Sequence, residues 1–190
     1  MKQILNLLFP KTCLVCKRKG SHLCEDCFSL IEINPFQRCI CGKSKGVFKC
    51  PECPPSLLDG LFVSADLNQS VLKKTISSYS SIKELSMPLV LIILTHFFLL
   101  GKDRFPDFVV FPCPIGRKEE KRTGFSETRE IAKILSEKLK MPLMENPDQV
   151  KDKNVLVLDI VYDASRMEKL AEKLKQNQAR QVFGLVVAKH

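Results

Sequence analysis

Eight of the nine cysteines lie between Cys13 and Cys53, where they form four closely spaced pairs. Two thiolates separated by two residues can bind one tetrahedral ion, and two such pairs complete a structural zinc site. Residues 1–10 contain a short apolar run without a small-residue cleavage site, so we expect reduced cysteines and bound zinc rather than disulfides. The expected ligands are Cys13, Cys16, Cys24, Cys27, Cys39, Cys41, Cys50 and Cys53.

The eight cysteines can serve one or two ions, in sequential or crossed pairing. We favour the sequential arrangement, because the first two pairs are joined by a short connector that contains Gly20. The third pair has only one residue between Cys39 and Cys41, so that residue must present both sulfurs or one thiolate is not a ligand. Cys113 lies far from the others in an apolar strand, where a buried thiol is expected.

Basic residues occupy the loops between these cysteines. They suit contacts with a nucleic-acid phosphate backbone, although lysines that are merely solvated are equally compatible with the pattern. The DNA-binding candidates are Lys17, Arg18, Lys19, Lys43, Lys45 and Lys49.

A second chemical signal lies in residues 154–165, where four apolar residues run directly into Asp159. This pattern is typical of a strand that is buried on both faces of a parallel sheet. Ligands of open α/β sheets bind at the carboxyl edge, and the turn that follows the strand would direct backbone N–H groups at an anion. The alternative is an ordinary helix start in which Asp163 or Ser165 is the cap.

The densest run of charges is the loop 115–123. Either it is solvated and mobile, or it contacts phosphate or pyrophosphate as a flap over a ligand. Its basic residues are Arg117, Lys118, Lys121 and Arg122.

Strands and helices alternate after Pro54-Pro55, which we take as the boundary between a zinc-binding module (1–54) and an α/β domain (55–190). The order predicts a doubly wound parallel sheet flanked by helices. The predicted strands are 61–65, 108–111, 154–158 and 182–187, and the predicted helices are 70–78, 82–100, 126–140 and 166–178.

Residues 87–100 are apolar on nearly every side of the predicted helix. About 20 residues are needed to cross a bilayer, so a buried core helix is the favoured interpretation, and a surface facing a partner or a membrane is the alternative. We expect His96 to be a packed core histidine.

The chain has 190 residues, 45% of them hydrophobic, which is enough for a globular core. Its formal net charge of +9 is distributed along the sequence rather than confined to one tail. An anionic polymer is therefore a reasonable partner.

Several motifs together resemble the ComF (ComFC) competence family. They are Leu7-Leu8-Phe9-Pro10 before the first cysteine pair, the paired cysteines, Pro112-x-Pro114, the basic run to Arg122-x-Gly124-Phe125, and the segment around Asp159. That last segment resembles the phosphoribosyl-pyrophosphate (PRPP) loop of type I phosphoribosyltransferases, with Ile160 where a second acid is usual and Asp163-Ala164-Ser165 where Thr-Thr-Gly is usual. Likewise, Thr123-Gly124-Phe125-Ser126-Glu127 stands where the family commonly has Arg-Gly-Phe-Asn-Gln.

The resemblance implies a zinc-ribbon module fused to a type I phosphoribosyltransferase-like domain. It implies a role in natural transformation on the cytoplasmic side, where the protein handles incoming single-stranded DNA beside a helicase-like competence protein. A position at the inner face of the membrane, near the inner-membrane DNA channel, is an open alternative. The residues that would stack with the bases are Phe48, Phe125 or Tyr162.

Two alternatives to DNA handling remain at this point. One is an active phosphoribosyltransferase that uses PRPP and Mg²⁺, although the missing acid favours binding over turnover; the other is a scaffold that recruits a helicase through helix 87–100. By the resemblance, PRPP or its phosphate would contact Asp159, Ile160, Tyr162, Asp163, Ala164, Ser165, Arg166 and Met167.

Overall fold

The computed structural model of the protein describes residues 10–101, 107–114 and 126–190. Its centre is one sheet of four parallel strands in the order β1-β4-β3-β2, which confirms the predicted α/β class. The strands are β1 (Gly60–Asp66), β2 (Phe108–Pro112), β3 (Asn154–Val161) and β4 (Gln181–Lys189). Because β3 and β4 lie inside the sheet, their residues are almost all buried, as continuous apolar runs predict.

The described helices connect these strands close to the predicted positions. They are α1 (Glu25–Phe28), α2 (Ser70–Tyr79), α3 (Ser86–Leu100), α4 (Glu127–Leu139) and α5 (Ala164–Gln176), with short 3-10 turns at Lys83–Leu85 and Pro147–Gln149. The predicted helix 82–100 is thus divided at Ser86. Pro88 explains the division, because proline lacks an N–H and is tolerated only in the first turn of an α-helix.

The sheet separates two apolar cores, because alternate residues of each strand point to opposite faces. Leu156 and Leu158 of β3 pack with α2, α3 and α4 on one face. Val155 and Val157 pack with α5 on the other face. Helices on both faces complete the layered architecture that the alternation of elements indicates.

Helix α3 is buried on one side and apolar on the other. Its inner side includes Leu89, Ile93 and His96, and the last is fully buried, as expected for a core histidine. Among the described residues, Lys83–Leu100 is the one helical segment whose length and hydropathy would allow a membrane span. Inside the protein, 44% of that segment is buried, so the helix packs on the core along one side only.

The free edge of β1 is covered by the segment that joins the two groups of cysteines. The side-chain amide of Asn34 donates to the carbonyl oxygen of Val63 over 2.8 Å, and the Asn34 backbone N–H donates to the carbonyl of Ser64 over 2.8 Å. The amide of Gln37 donates to the carbonyl of Leu61 over 2.6 Å. These bonds satisfy carbonyl groups that an edge strand would otherwise present to another chain.

Both groups of cysteines pack against the α/β domain. Cys13 and Cys27 belong to the apolar core that also contains α3. The ring of Phe48 lies 5.4 Å from Phe62 and 5.0 Å from Phe183, in edge-to-face geometry. The division at residues 54 and 55 remains a prediction, since the contacts are continuous across it.

Candidate metal centres and nucleic-acid interface

The first four cysteines converge on one point. The sulfurs of Cys13, Cys16, Cys24 and Cys27 all lie within 4.8 Å of one another. Left-handed backbone at Lys17 (φ 65°) and a positive φ of 126° at Gly20 reverse the chain between the two pairs. Helix α1 starts directly after Cys24 and carries the buried Cys27 back to the cluster.

The second four cysteines form a separate cluster with the same 4.8 Å limit. Cys39 and Cys41 both take part despite their short spacing, with their sulfurs 3.3 Å apart. Gly42 and Gly46 have φ values of 84° and 77°, which turn the chain tightly between the pairs. The cysteines are therefore grouped sequentially, as we favoured, into two clusters of four.

The geometry of both clusters fits zinc. Zn–S bonds of about 2.3 Å in a tetrahedron place sulfurs about 3.8 Å apart, and five of the six Sγ–Sγ distances in the second cluster are 3.3–3.7 Å. Backbone N–H groups support the thiolates, with Ser44 donating to Cys39 over 3.2 Å and Cys50 donating to Cys53 over 3.3 Å. Each cluster can therefore hold one structural zinc ion.

All six basic candidates on these two units are exposed, but they differ in how far their charge is compensated. Arg18 pairs with Asp26, and Lys43 pairs with Glu52 at 2.6 Å. Lys49 donates to the carbonyl of Ser56 over 3.0 Å. Lys17 likewise donates to the carbonyl of Leu14 over 3.4 Å. Within residues 10–101, 107–114 and 126–190, no carboxylate pairs with Lys17, Lys19, Lys45 or Lys49.

An exposed aromatic ring accompanies one of these lysines. Phe36 is 57% exposed, and the ammonium group of Lys45 lies 5.6 Å from its ring centroid. Sequence reasoning missed Phe36 and proposed Phe48 and Tyr162, but Phe48 is packed in the aromatic core and Tyr162 lies under Lys189 at 4.7 Å. No local pattern separated Phe36 from Phe48, since both stand among mostly polar neighbours.

At the carboxyl side of the sheet, Asp159 lies inside β3 rather than at its end. Strand β3 continues to Val161, because Asp159 and Val161 both pair with residues of β4. Asp159 is 2% exposed, and Nη2 of Arg166 lies 2.7 Å from its Oδ2. Burial raises the pKa of Asp159 to about 6, although the Arg166 guanidinium opposes that rise.

A side chain of the protein caps the N-terminus of α5. Asp163 is the N-cap, and its Oδ1 accepts the backbone N–H of Arg166 over 2.9 Å. Ala164 and Ser165 are exposed, whereas Met167 is buried in the core. Ile160 is buried with the opposite core, because neighbouring residues of a strand face opposite ways.

These contacts bear on whether a sugar phosphate fits at this edge. A 5-phosphate would need the amides of the α5 N-terminus, where the carboxylate of Asp163 already accepts a bond. A ribose would need Asp159, which is covered by Arg166. The described residues therefore do not form the phosphate cradle and open acid that PRPP requires.

A shallow groove nevertheless runs along this edge between α4 and α5. Its two connected depressions, of about 320 and 390 Å³, share Pro114, Leu170 and Lys173. The buried thiol of Cys113 lines one of them, and burial, with the charge of Asp159 adding to it, raises the pKa of that thiol to about 12. Cys113 is therefore a protonated core thiol, as expected.

Some predicted contacts lie outside the described residues. They are the basic loop with Arg117, Lys118, Lys121 and Arg122, the apolar Leu7-Leu8-Phe9, and Phe125 with its neighbour Gly124.

Comparison with protein-family models found no model that matches the chain, and comparison with curated proteins found no matching protein.

Proposed function

We propose that this protein is a zinc-stabilised single-stranded-DNA-binding protein of the ComF kind, which handles incoming DNA on the cytoplasmic side during natural transformation. The observation that carries the proposal is the exposed ring of Phe36 beside Lys45 on the second cysteine cluster. Single-strand-binding surfaces combine cations that contact phosphates with aromatic rings on which bases stack.

The distribution of charge supports sequence-independent binding. Lys17, Lys19 and Lys45 are exposed without a carboxylate partner in the described structure. Phosphate contacts by such residues position the strand and carry no base information. Binding should therefore weaken steeply with salt and depend little on sequence.

The test is fluorescence anisotropy of zinc-loaded protein with labelled single-stranded and duplex DNA at about 50 and about 200 mM salt. We expect tighter single-strand binding and an approximately tenfold loss in Phe36→Ala, because one base loses its stacking partner. Phe36→Ala should leave the salt dependence unchanged, whereas Lys45→Ala should reduce its slope by about one.

Leu30→Ala is the matched control. Leu30 is 64% exposed on the other cysteine unit, so its truncation removes apolar surface without removing an aromatic ring. Equal affinity of Phe36→Ala and the natural protein for single strands would refute the proposed interface.

Phosphoribosyl transfer is the less favoured activity. Asp159 is paired with Arg166, and the carboxylate of Asp163 accepts the Arg166 amide at the start of α5, so the acid is covered and a negative charge stands where the 5-phosphate of PRPP with Mg²⁺ would bind. Release of pyrophosphate from PRPP in the presence of candidate bases would reverse this preference.

A protein partner is a second part of the proposal. Helix α3 exposes Met87, Leu91, Phe98 and Leu99, and Phe98 is 71% exposed. Exposed apolar patches of this kind commonly mark interaction sites, which suits recruitment of a helicase-like competence protein. Phe98→Ser should weaken binding to that purified partner and leave single-strand affinity unchanged.

A further inference from the structure

The two cysteine clusters differ in how far their residues are open to solvent. In the first cluster, Cys13 and Cys27 are buried, Cys24 is partly buried and Cys16 is exposed. The second cluster has no exposed member, since Cys39 is buried and the other three cysteines are partly buried. Among the nine cysteines, all of which the structure describes, Cys16 is therefore the most accessible to a reagent in solution.

The fold divides the first cluster into an inner and an outer pair of ligands. The inner pair, Cys13 and Cys27, belongs to the apolar core that contains α3. The outer pair is Cys16 and Cys24, whose sulfurs lie 3.5 Å apart. A disulfide needs an S–S distance of about 2.05 Å, and residues 17–20 of the loop that joins the outer pair are exposed. The outer sulfurs can therefore approach each other without displacing the core.

The surroundings of the outer pair favour oxidation. A cysteine that binds zinc is a thiolate, which is the form of cysteine that reacts with oxidants. Oxidation follows thiolate character and exposure, and it is reversible where a second cysteine is placed to form a disulfide. Cys16 meets the first two conditions, and Cys24 meets the third. Three exposed basic residues follow Cys16 directly and favour its thiolate form; they are Lys17, Arg18 and Lys19.

We infer that Cys16 and Cys24 form a peroxide-sensitive site at which oxidation releases the zinc ion of the first cluster. The Cys16 thiolate attacks one oxygen of hydrogen peroxide, so that an S–O bond forms, the O–O bond breaks and hydroxide leaves. The Cys24 thiolate then attacks the sulfur of Cys16, so that an S–S bond forms, the S–O bond breaks and a second hydroxide leaves. The two sulfurs together lose two electrons, and these electrons reduce the peroxide.

The disulfide leaves the first cluster with two ligands where four were present. Cys13 and Cys27 alone do not complete a tetrahedral site, so the first cluster loses its ion, whereas the second cluster keeps four thiolates. A thiol reductant supplied together with zinc restores the thiolates and reverses the change. This site is separate from the Phe36 surface, and the inference does not depend on the proposed function.

The experiment is treatment of the zinc-loaded protein with hydrogen peroxide in the presence of a chromophoric chelator that reports released zinc, with a peroxide-free sample as background. We expect two phases, of which the first releases one ion per chain at least about tenfold faster than the second, because oxidation follows exposure of the thiolate. Peptide mapping by mass spectrometry after the first phase should find a disulfide between Cys16 and Cys24 and reduced cysteines in the second cluster. Dithiothreitol with added zinc should restore the original metal content.

Two variants with one intact cluster each assign the phases. Cys39→Ser should lose its remaining ion in the fast phase, whereas Cys27→Ser should lose its remaining ion in the slow phase. Cys113→Ala is the control, because Cys113 belongs to neither cluster and its removal should leave both phases unchanged. The peptide map of the natural protein decides even if a variant does not fold. Release of both ions at one rate, or loss of the first ion while Cys16 and Cys24 stay reduced, would overturn the inference.

Discussion

Arg166 covers Asp159, with Nη2 of the guanidinium 2.7 Å from Oδ2 of the carboxylate, and both side chains belong to the segment that sequence indicates as a ligand loop. Asp159 is almost completely buried, whereas Arg166 is partly exposed at the groove. This ion pair with Arg166 therefore shields the Asp159 carboxylate from solvent.

The first prediction concerns the titration of this acid. Burial raises the pKa of Asp159 to about 6, and Arg166 acts in the opposite direction by stabilising the carboxylate. Arg166→Ala should therefore move the titration midpoint of Asp159, followed by carboxyl carbon NMR, above its value in the natural protein. Lys169→Ala is the control, and an unchanged midpoint in Arg166→Ala would show that the ion pair is absent in solution.

The raised pKa of Asp159 also predicts that the stability of the natural protein depends on pH. Because the folded-state pKa lies above the ordinary value of 3.8, the folded protein binds more protons than the unfolded chain between about pH 4 and pH 6. The contribution of Asp159 to stability is therefore greatest below pH 4 and falls as pH rises to 6, by at most about 3 kcal/mol. Comparing urea unfolding of Asp159→Asn and the natural protein across this range should show the free-energy difference changing with that sign; a difference independent of pH would contradict it.

The start of α5 gives a second stability prediction. Asp163→Ala removes the side chain that caps the helix and should lower the free energy of unfolding by about 1 kcal/mol. Asp163→Asn should cost much less, because asparagine caps helices as well as aspartate does. Ser165→Ala is the control, because Ser165 is exposed and lies two residues after Asp163. Equal urea midpoints for Asp163→Ala and the control would exclude capping by Asp163.

Metal content is predicted separately for the two cysteine clusters. Elemental analysis should find two zinc ions per chain, one ion in Cys39→Ser, and two in Cys113→Ala, because Cys113 belongs to neither cluster. Chelation should remove hydrogen-exchange protection from residues 13–53 before it affects the sheet, since small metal modules draw much of their folding free energy from the ion. A zinc content that is unaffected by Cys39→Ser would contradict the assignment.

Close packing at Gly60 supplies the last prediction. A Cβ at this position would lie 2.5 Å from the ring of Phe48 and 2.7 Å from the ring of Phe183. Gly60→Ala should therefore destabilise the protein by about 1–3 kcal/mol in urea unfolding. The cost should shrink in a Phe48→Ala background, because the nearest obstacle is gone, and strict additivity of the two changes would argue against this contact.

The fold was predictable because its signals are local. Apolar runs such as 155–158 identify strands that are buried on both faces, and the two-residue spacing of cysteines identifies metal ligands. Both patterns can be read within a few consecutive residues, although the contacts that they predict join distant parts of the chain.

The details of the site were not predictable from local pattern. Asp159 follows an apolar run and therefore suggested a strand end, but pairing with β4 extends β3 to Val161. Phe36 and Phe48 are similar in sequence context, yet one is exposed and the other packs against Phe62 and Phe183. Exposure depends on contacts between distant segments, which no short window contains.

The hydrogen bonds from Asn34 and Gln37 to β1 connect metal supply to aggregation. This strand is shielded by a stretch whose two ends are anchored at the cysteine clusters. A cell that lacks zinc would release that stretch and expose an unprotected row of carbonyl groups to other copies of the chain. Metal deficiency would then promote self-association and, because Phe36 lies in the released stretch, would disturb the proposed nucleic-acid surface at the same time.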